Sequence, residues 1–269
     1  MHLNRWITSV VALPLLGVLI LKGGPLGFAI LVAFVSVMAF WEYQRMITAP
    51  NHSVGVIFLT VSGLITSPLI IGAVYGNSFE LVLGLISLNL VFSGFTALVQ
   101  FKASPEIGPV VSKQVMGIIY IPLFLSFLVM IRNSVSGIVW IIFLLCIVFA
   151  GDVGAYYVGT YLGRHKLAPS ISPGKTIEGA LGGLAANLIT GGLIKYVYFP
   201  KVPWGLSIIF FLCIGLVGQG GDLFESMIKR SANIKDSGAI LPGHGGILDR
   251  IDALMFAAPT AYLFKEFIL

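Results

Sequence analysis

The ionisable residues of this chain are few, and those whose spacing could do chemistry lie late in it. Asp222, Glu225, Ser226 and Lys229 recur at i, i+3, i+4 and i+7, which puts all four on one helical face. Asp222 follows the run GLVGQGG at the margin of an apolar stretch. An aspartate at the centre of a lipid-embedded helix costs about 2.5–3.5 kcal/mol on insertion scales, so a compensating cation is expected beside it. Glu225 has an ordinary alternative, an i, i+4 pair with Lys229. Downstream, PGHGGILDRID at residues 242–252 surrounds His244 with glycines. The amides of Gly245 and Gly246 can then approach phosphate oxygens closely, where the amino terminus of a helix also favours anions. Asp249 and Asp252 share the next helical face, and Arg250 between them is out of place at a positive helix end unless an anion or carboxylate neutralises it. Hard carboxylate oxygens beside basic residues suit Mg²⁺ bound together with a phosphate chain. His244 has no second histidine at ligand spacing and no nearby cysteine, so it is expected to donate to a phosphate or organise the loop.

A third stretch, residues 150–179, carries Asp152, Ser172, Lys175, Thr176 and Glu178. Gly174-Lys175-Thr176 invites comparison with a phosphate-binding G-x-x-x-x-G-K-[ST] loop. Position 169 is Pro169 rather than glycine, and that reading fails. Ser172 is expected to cap a helix whose first residue is Pro173, placing Lys175 in the first turn against the helix dipole. A bound phosphate would relieve that conflict. Asp152, between Gly151 and Val153, is a second costly carboxylate inside an apolar run.

The elements that must hold these residues are membrane helices. Of 269 residues 57% are hydrophobic and only 10% charged, with mean hydropathy +0.99, whereas soluble domains are about 25% charged. Nine spans are predicted, near residues 6–21, 25–41, 54–75, 79–101, 114–131, 137–160, 177–199, 204–223 and 251–268. The first follows Arg5 without a cleavage pattern and is expected to be a retained helix. The fold class is thus an all-α polytopic integral membrane protein. Lys and Arg concentrate in the loops after spans six and eight, at Arg164, Lys166 and Lys175 and at Lys229, Arg230, Lys235 and Arg250. The opposite side would hold Lys22, Arg132, Lys195, Lys201 and Lys265. This bias predicts a cytoplasmic amino terminus and a cytosol-facing site in the inner membrane, and it accounts for the net charge of +5 without a nucleic acid partner. Residues 1–133 contain no aspartate and are expected to form a scaffold, with residues 134–269 as the catalytic region. Cys146 and Cys213 sit in apolar runs and are read as small buried hydrophobes.

The late residues resemble the phosphatidate cytidylyltransferases, also called CDP-diacylglycerol synthases. Ser226, Ile228-Lys229-Arg230 and Lys235-Asp236 follow that family's pattern, as do Leu241-Pro242, His244-Gly245-Gly246-Ile247 and Asp249-Arg250-Ile251-Asp252. The block with Asp152, Ser172, Pro173, Lys175, Thr176 and Glu178 is similar to its upstream segment. The resemblance implies transfer of a cytidylyl group from CTP to phosphatidic acid, giving CDP-diacylglycerol and pyrophosphate, with a divalent metal. On that reading Asp222 and Asp249 would hold Mg²⁺, with a second cation beside it and with Asp152, Glu225 and Asp252 as further candidates. Lys175, Lys229, Arg230, Lys235 and Arg250 would share the phosphates of both substrates, and the lipid would enter sideways from the bilayer. Ser172, Thr176, Ser226, His244, Gly245 and Gly246 would complete the substrate site. A homodimer is the expected assembly.

Other readings share some of these features. A CTP-dependent polyprenol kinase would also use acids and bases at a cytosolic loop, but would transfer the γ-phosphate and release CDP. A cation-coupled transporter could place Asp152 and Asp222 in the membrane, although transporters tend to show paired repeats.

Overall fold

A computed structural model describes residue 14 and residues 16–48, 53–240 and 245–268. Its helices are α1 (Gly24–Thr48), α2 (Val54–Tyr75), α3 (Phe79–Gln100), α4 (Ile107–Ile118) and α5 (Phe124–Asn133), followed by α6 (Gly137–Leu162), α7 (Ile177–Tyr198), α8 (Trp204–Ser231) and α9 (Leu248–Phe267). A π-helical turn, Ile119–Leu123, joins α4 to α5 without a break and contains Pro122, whose missing N–H removes one rung of the helical ladder. Among the described residues seven helices are long and apolar enough to cross a membrane, with α4 and α5 counted as one. The chain is a multi-pass membrane protein. The first expected span lies largely outside the described residues. The ninth corresponds to α9, which is not among the seven and carries Asp249, Arg250, Asp252, Lys265 and Glu266.

The chain divides into two compact units. The first comprises Met1–Asn133 with Ala232–Arg250. Its helices bury polar side chains against one another. Gln114 donates to Ser62 Oγ at 3.0 Å and Gln44 donates to Gln114 Oε1 at 3.2 Å, while Asn89 donates to Thr66 Oγ1 at 3.1 Å. Without water in a bilayer these amides must find partners within the bundle. The second expected span ends at residue 41, but α1 continues to Thr48 and buries Glu42, Tyr43 and Gln44.

The second unit comprises Ser134–Ser231 with Ile251–Leu269. Its centre is the close pair α6 and α7. Gly151, Ala155 and Gly159 recur every fourth residue on α6, and Gly179 and Gly183 do so on α7. A methyl group added at Gly183 would lie 2.9 Å from the Gly151 carbonyl oxygen, and one at Gly179 would lie 2.8 Å from that of Ala155. Small residues at this spacing let two backbones touch. Between the two helices the chain forms a hairpin of β1 (Lys166–Ala168) and antiparallel β2 (Ser172–Thr176).

That hairpin corrects the sequence expectation of a helix beginning at Pro173. Pro173 restricts Ser172 to extended backbone, and the helix instead starts at Ile177. Thr176 is its N-cap, accepting from the Gly179 amide at 3.1 Å. Lys175 is therefore a strand residue, and no conflict with a helix dipole arises.

Candidate active site

In the second unit the hairpin, α6, α7 and α8 line an open cavity of about 540 Å³ bordered by Asp152, Tyr156, Ser172, Lys175, Thr176 and Asp222, among others. That volume lies in the range of about 300–1,000 Å³ usual for small-molecule sites. Lys175 Nζ reaches Asp222 Oδ2 at 2.6 Å, joining strand to helix. Lys175 is thus one cation beside Asp222. Ser226, one turn along α8, directs its hydroxyl at Asp222 Oδ1 from 3.5 Å. Asp152 and Asp252 both lie within Coulombic range of Asp222. α9 approaches α8 at Gly221, where an added methyl would come within 2.6 Å of the Asp252 carbonyl oxygen, and Phe224 packs against Phe256 with ring centroids 5.4 Å apart.

The hairpin is held from both sides. Glu178 accepts from the backbone amides of Arg164 at 3.0 Å and His165 at 3.2 Å, and also contacts His165 Nδ1 at 2.6 Å. Arg230 Nε donates to the Ile171 carbonyl at 3.1 Å, so this residue, expected at a phosphate, is also tied to the turn of the hairpin. Lys229 pairs with the fully buried Glu225 at 2.5 Å, as the ordinary i, i+4 reading anticipates. His165 received no role in the sequence reading, and its partnership with Glu178 is visible only when the hairpin folds.

In the first unit the loop before α9 is built around Asp249. Its carboxylate accepts from the Ser237 amide at 3.1 Å and from the Gly246 amide at 2.9 Å. Gly245 takes φ 84, a left-handed conformation that favours glycine, and an added methyl there would meet Asp249 Oδ2 at 3.0 Å. Glu42 of α1 joins the same loop. Its Oε2 accepts from the Leu248 amide at 2.9 Å and from the Ser237 hydroxyl at 3.3 Å. Sequence reasoning missed both Glu42 and Ser237, although a lone acid at the end of the apolar run before it is the kind of residue that signals function in a membrane protein. Lys235 and Arg250 are exposed. His244 falls outside the described residues.

Among the described residues no three His, Cys, Asp or Glu side chains are grouped so as to hold a metal by themselves. Mg²⁺ asks for less, since it commonly takes one or two carboxylates and completes its shell with water and phosphate oxygens. Asp222 and Asp152, both lining the cavity, fit that donor set.

Fold and site together define a multi-pass membrane protein with a cavity lined by acidic and basic side chains. The family model described as the cytidylyltransferase family matches residues 3–268. The chain is 34% identical to a phosphatidate cytidylyltransferase of Staphylococcus saprophyticus over 263 residues, 95% of each chain. It is 33% identical to one of Staphylococcus epidermidis over 261 residues, again 95% of each. One from Bacillus subtilis is 41% identical over 145 residues, 54% of each chain. The chain belongs to the cytidylyltransferase family.

Proposed function

We propose that this protein transfers the cytidylyl group of CTP to phosphatidic acid, giving CDP-diacylglycerol and pyrophosphate for phospholipid synthesis. Family membership along the whole chain supports the reaction. The structural observation that supports it most directly is the Lys175–Asp222 pair within a cavity of about 540 Å³. A phosphate oxygen of phosphatidic acid attacks the α-phosphorus of CTP in line; the new P–O bond forms as the bond to the β-phosphate bridging oxygen breaks, and pyrophosphate leaves. The attacking phosphate has a second pKa of about 6, so near neutral pH it is largely ionised and needs no strong general base. Catalysis then consists of positioning and charge neutralisation.

Magnesium, when bound, neutralises phosphate charge and orients the phosphate oxygens. Asp222 is its proposed carboxylate ligand, with Asp152 and Asp252 near enough to add or orient a ligand. Lys175 binds nucleotide phosphate from the strand, and its pairing with Asp222 holds the ammonium at the cavity until substrate arrives. Ser172 and Thr176 belong to the same wall. For Asp249 the metal role rests on the sequence pattern alone; its bonds to Ser237 and Gly246 support a part in shaping the loop. We further propose that the cavity faces the cytosol and that the protein works as a homodimer in the inner membrane.

The test uses purified protein in mixed micelles with phosphatidic acid, Mg²⁺ and CTP labelled at the α-phosphate. Label is expected in the lipid with matching pyrophosphate, and Asp222→Asn is expected to lower turnover at least about a hundredfold, in the range of other electrostatic deletions. Transfer of γ-label in place of α-label would establish the kinase reading. Near-normal turnover in Asp222→Asn would remove Asp222 from the metal site.

A further inference from the structure

Glu42 lies on α1, outside the stretch where the sequence concentrates its chemistry, and is only 1% exposed. An ionisable group so deeply buried in a membrane protein is costly and is kept where it has work to do. Its surroundings show what that work is. The same oxygen, Oε2, accepts from the Leu248 amide at 2.9 Å and from the Ser237 hydroxyl at 3.3 Å. Leu248 is the first residue of α9, so its amide is one of the helix-start donors that have no partner within the helix. Ser237 in turn gives its amide to Asp249 at 3.1 Å. One carboxylate from α1 therefore caps α9 and grips the residue that grips Asp249.

The loop is shaped to receive it. A methyl group at Gly246 would come within 2.6 Å of Glu42 Oε2 and would also collide with the Ser237 hydroxyl, and one at Gly238 would collide with Glu42 Oε1. Two glycines thus form a cradle for this side chain, and one of them, Gly246, also donates its amide to Asp249 at 2.9 Å.

We propose that Glu42 is a positioning residue for cytidylyl transfer. It fixes Ser237, Gly246 and the start of α9, and so sets where Asp249 and the Gly246 amide stand. This rests on the function proposed above. The donors it meets are a neutral amide and a hydroxyl, so the requirement is for an acceptor oxygen at that reach. Glutamine can supply that oxygen, whereas aspartate, one methylene shorter, cannot reach.

The experiment compares E42Q and E42D as purified full-length proteins. It measures kcat and KM for CTP and phosphatidic acid, together with amide hydrogen exchange over residues 237–249 and thermal unfolding. E42D is expected to lose at least about tenfold in kcat, since displacements of about 1 Å can cost a hundredfold, with both KM values within about twofold of the parent. Exchange at the Ser237, Gly246 and Leu248 amides should rise in E42D. E42Q should recover most of the lost kcat and restore the protection. The reverse ranking, E42D active and E42Q inactive, would overturn the proposal in favour of a requirement for charge. Equal loss of thermal stability in both variants with kcat preserved would also overturn it, leaving a bracing role only. Exchange needs no turnover. If the parent transfers no α-label, the functional reading fails on that assay, while protection at the three amides still decides whether Glu42 organises the loop.

Discussion

At the scale of single residues, the candidate site gathers carboxylates around a lysine. Lys175 meets Asp222 at 2.6 Å, while Asp152 and Asp252 lie within Coulombic range of the same group. Such a pair, with both side chains partly exposed, contributes little to stability. Its value is in having an ammonium ready at the cavity wall. Lys175→Gln is therefore expected to raise KM for CTP about tenfold or more, measured over a CTP series at saturating phosphatidic acid and fixed Mg²⁺. An unchanged KM would confine Lys175 to pairing with Asp222. Lys175 stood out only as a first-turn lysine, a placement the hairpin overturns, whereas Asp222 was legible because a charged residue in so apolar a chain must be compensated. Glu42 was not. It stands beyond the end drawn for its span, in a half of the chain without aspartate, and its partners are about 200 residues away. No local spacing rule connects positions so far apart.

At the scale of elements, the α6–α7 pair and its hairpin carry the site. The four-residue repeat of small side chains at Gly151, Ala155 and Gly159, facing Gly179 and Gly183, is present in the sequence, but nothing local there says that these two helices pair. It decides how closely the helices approach, and thereby where Asp152 and β2 stand. Gly183→Ala would push a methyl to 2.9 Å from the Gly151 carbonyl, 3.0 Å from Gln219 Nε2 and 3.2 Å from the Ala155 methyl. The backbone oxygen cannot swing away as a side chain can. Overpacking of this kind typically costs about 1–3 kcal/mol, so the midpoint of thermal unfolding in detergent should fall. Gly205→Ala, where nothing lies within 4 Å of an added methyl, should leave it unchanged or slightly higher. The hairpin itself was misread as a helix start because Ser172-Pro173 resembles a capping pair. The true cap, Thr176, sits four residues later, and the bonds that Glu178 accepts from the Arg164 and His165 amides hold the intervening hairpin in place.

At the scale of the whole molecule, the membrane itself dictates what is exposed. α3 turns Leu98 and Val99 outward at 75% and 77% exposure, a surface suited to hydrocarbon and unsuited to water. In the second unit, α7 has 22 residues, about 33 Å at 1.5 Å per residue, which matches a hydrocarbon core of about 30 Å. Exposed tyrosines mark both ends of the α6–α7 pair. Tyr156, Tyr157 and Tyr161 stand toward the hairpin, and Tyr196 and Tyr198 stand with Trp204 at the far end. Aromatic belts of this kind sit at the two membrane–water interfaces. Lys166 is exposed on the hairpin, and Lys201 is exposed beyond the other belt. The distribution of Lys and Arg then predicts which end meets the cytosol. In a chain with Cys146 and Cys213 replaced by serine, single Lys166→Cys and Lys201→Cys substitutions can be probed in intact spheroplasts with a membrane-impermeant maleimide. Lys201→Cys should label at once, and Lys166→Cys only after permeabilisation. That outcome would put the cavity on the side where CTP is made available, because the hairpin bearing Lys166 also carries Lys175 to Asp222. The opposite pattern would reverse the orientation and leave a CTP-dependent reaction without access to its nucleotide, so the topology and the proposed chemistry stand or fall on the same labelling.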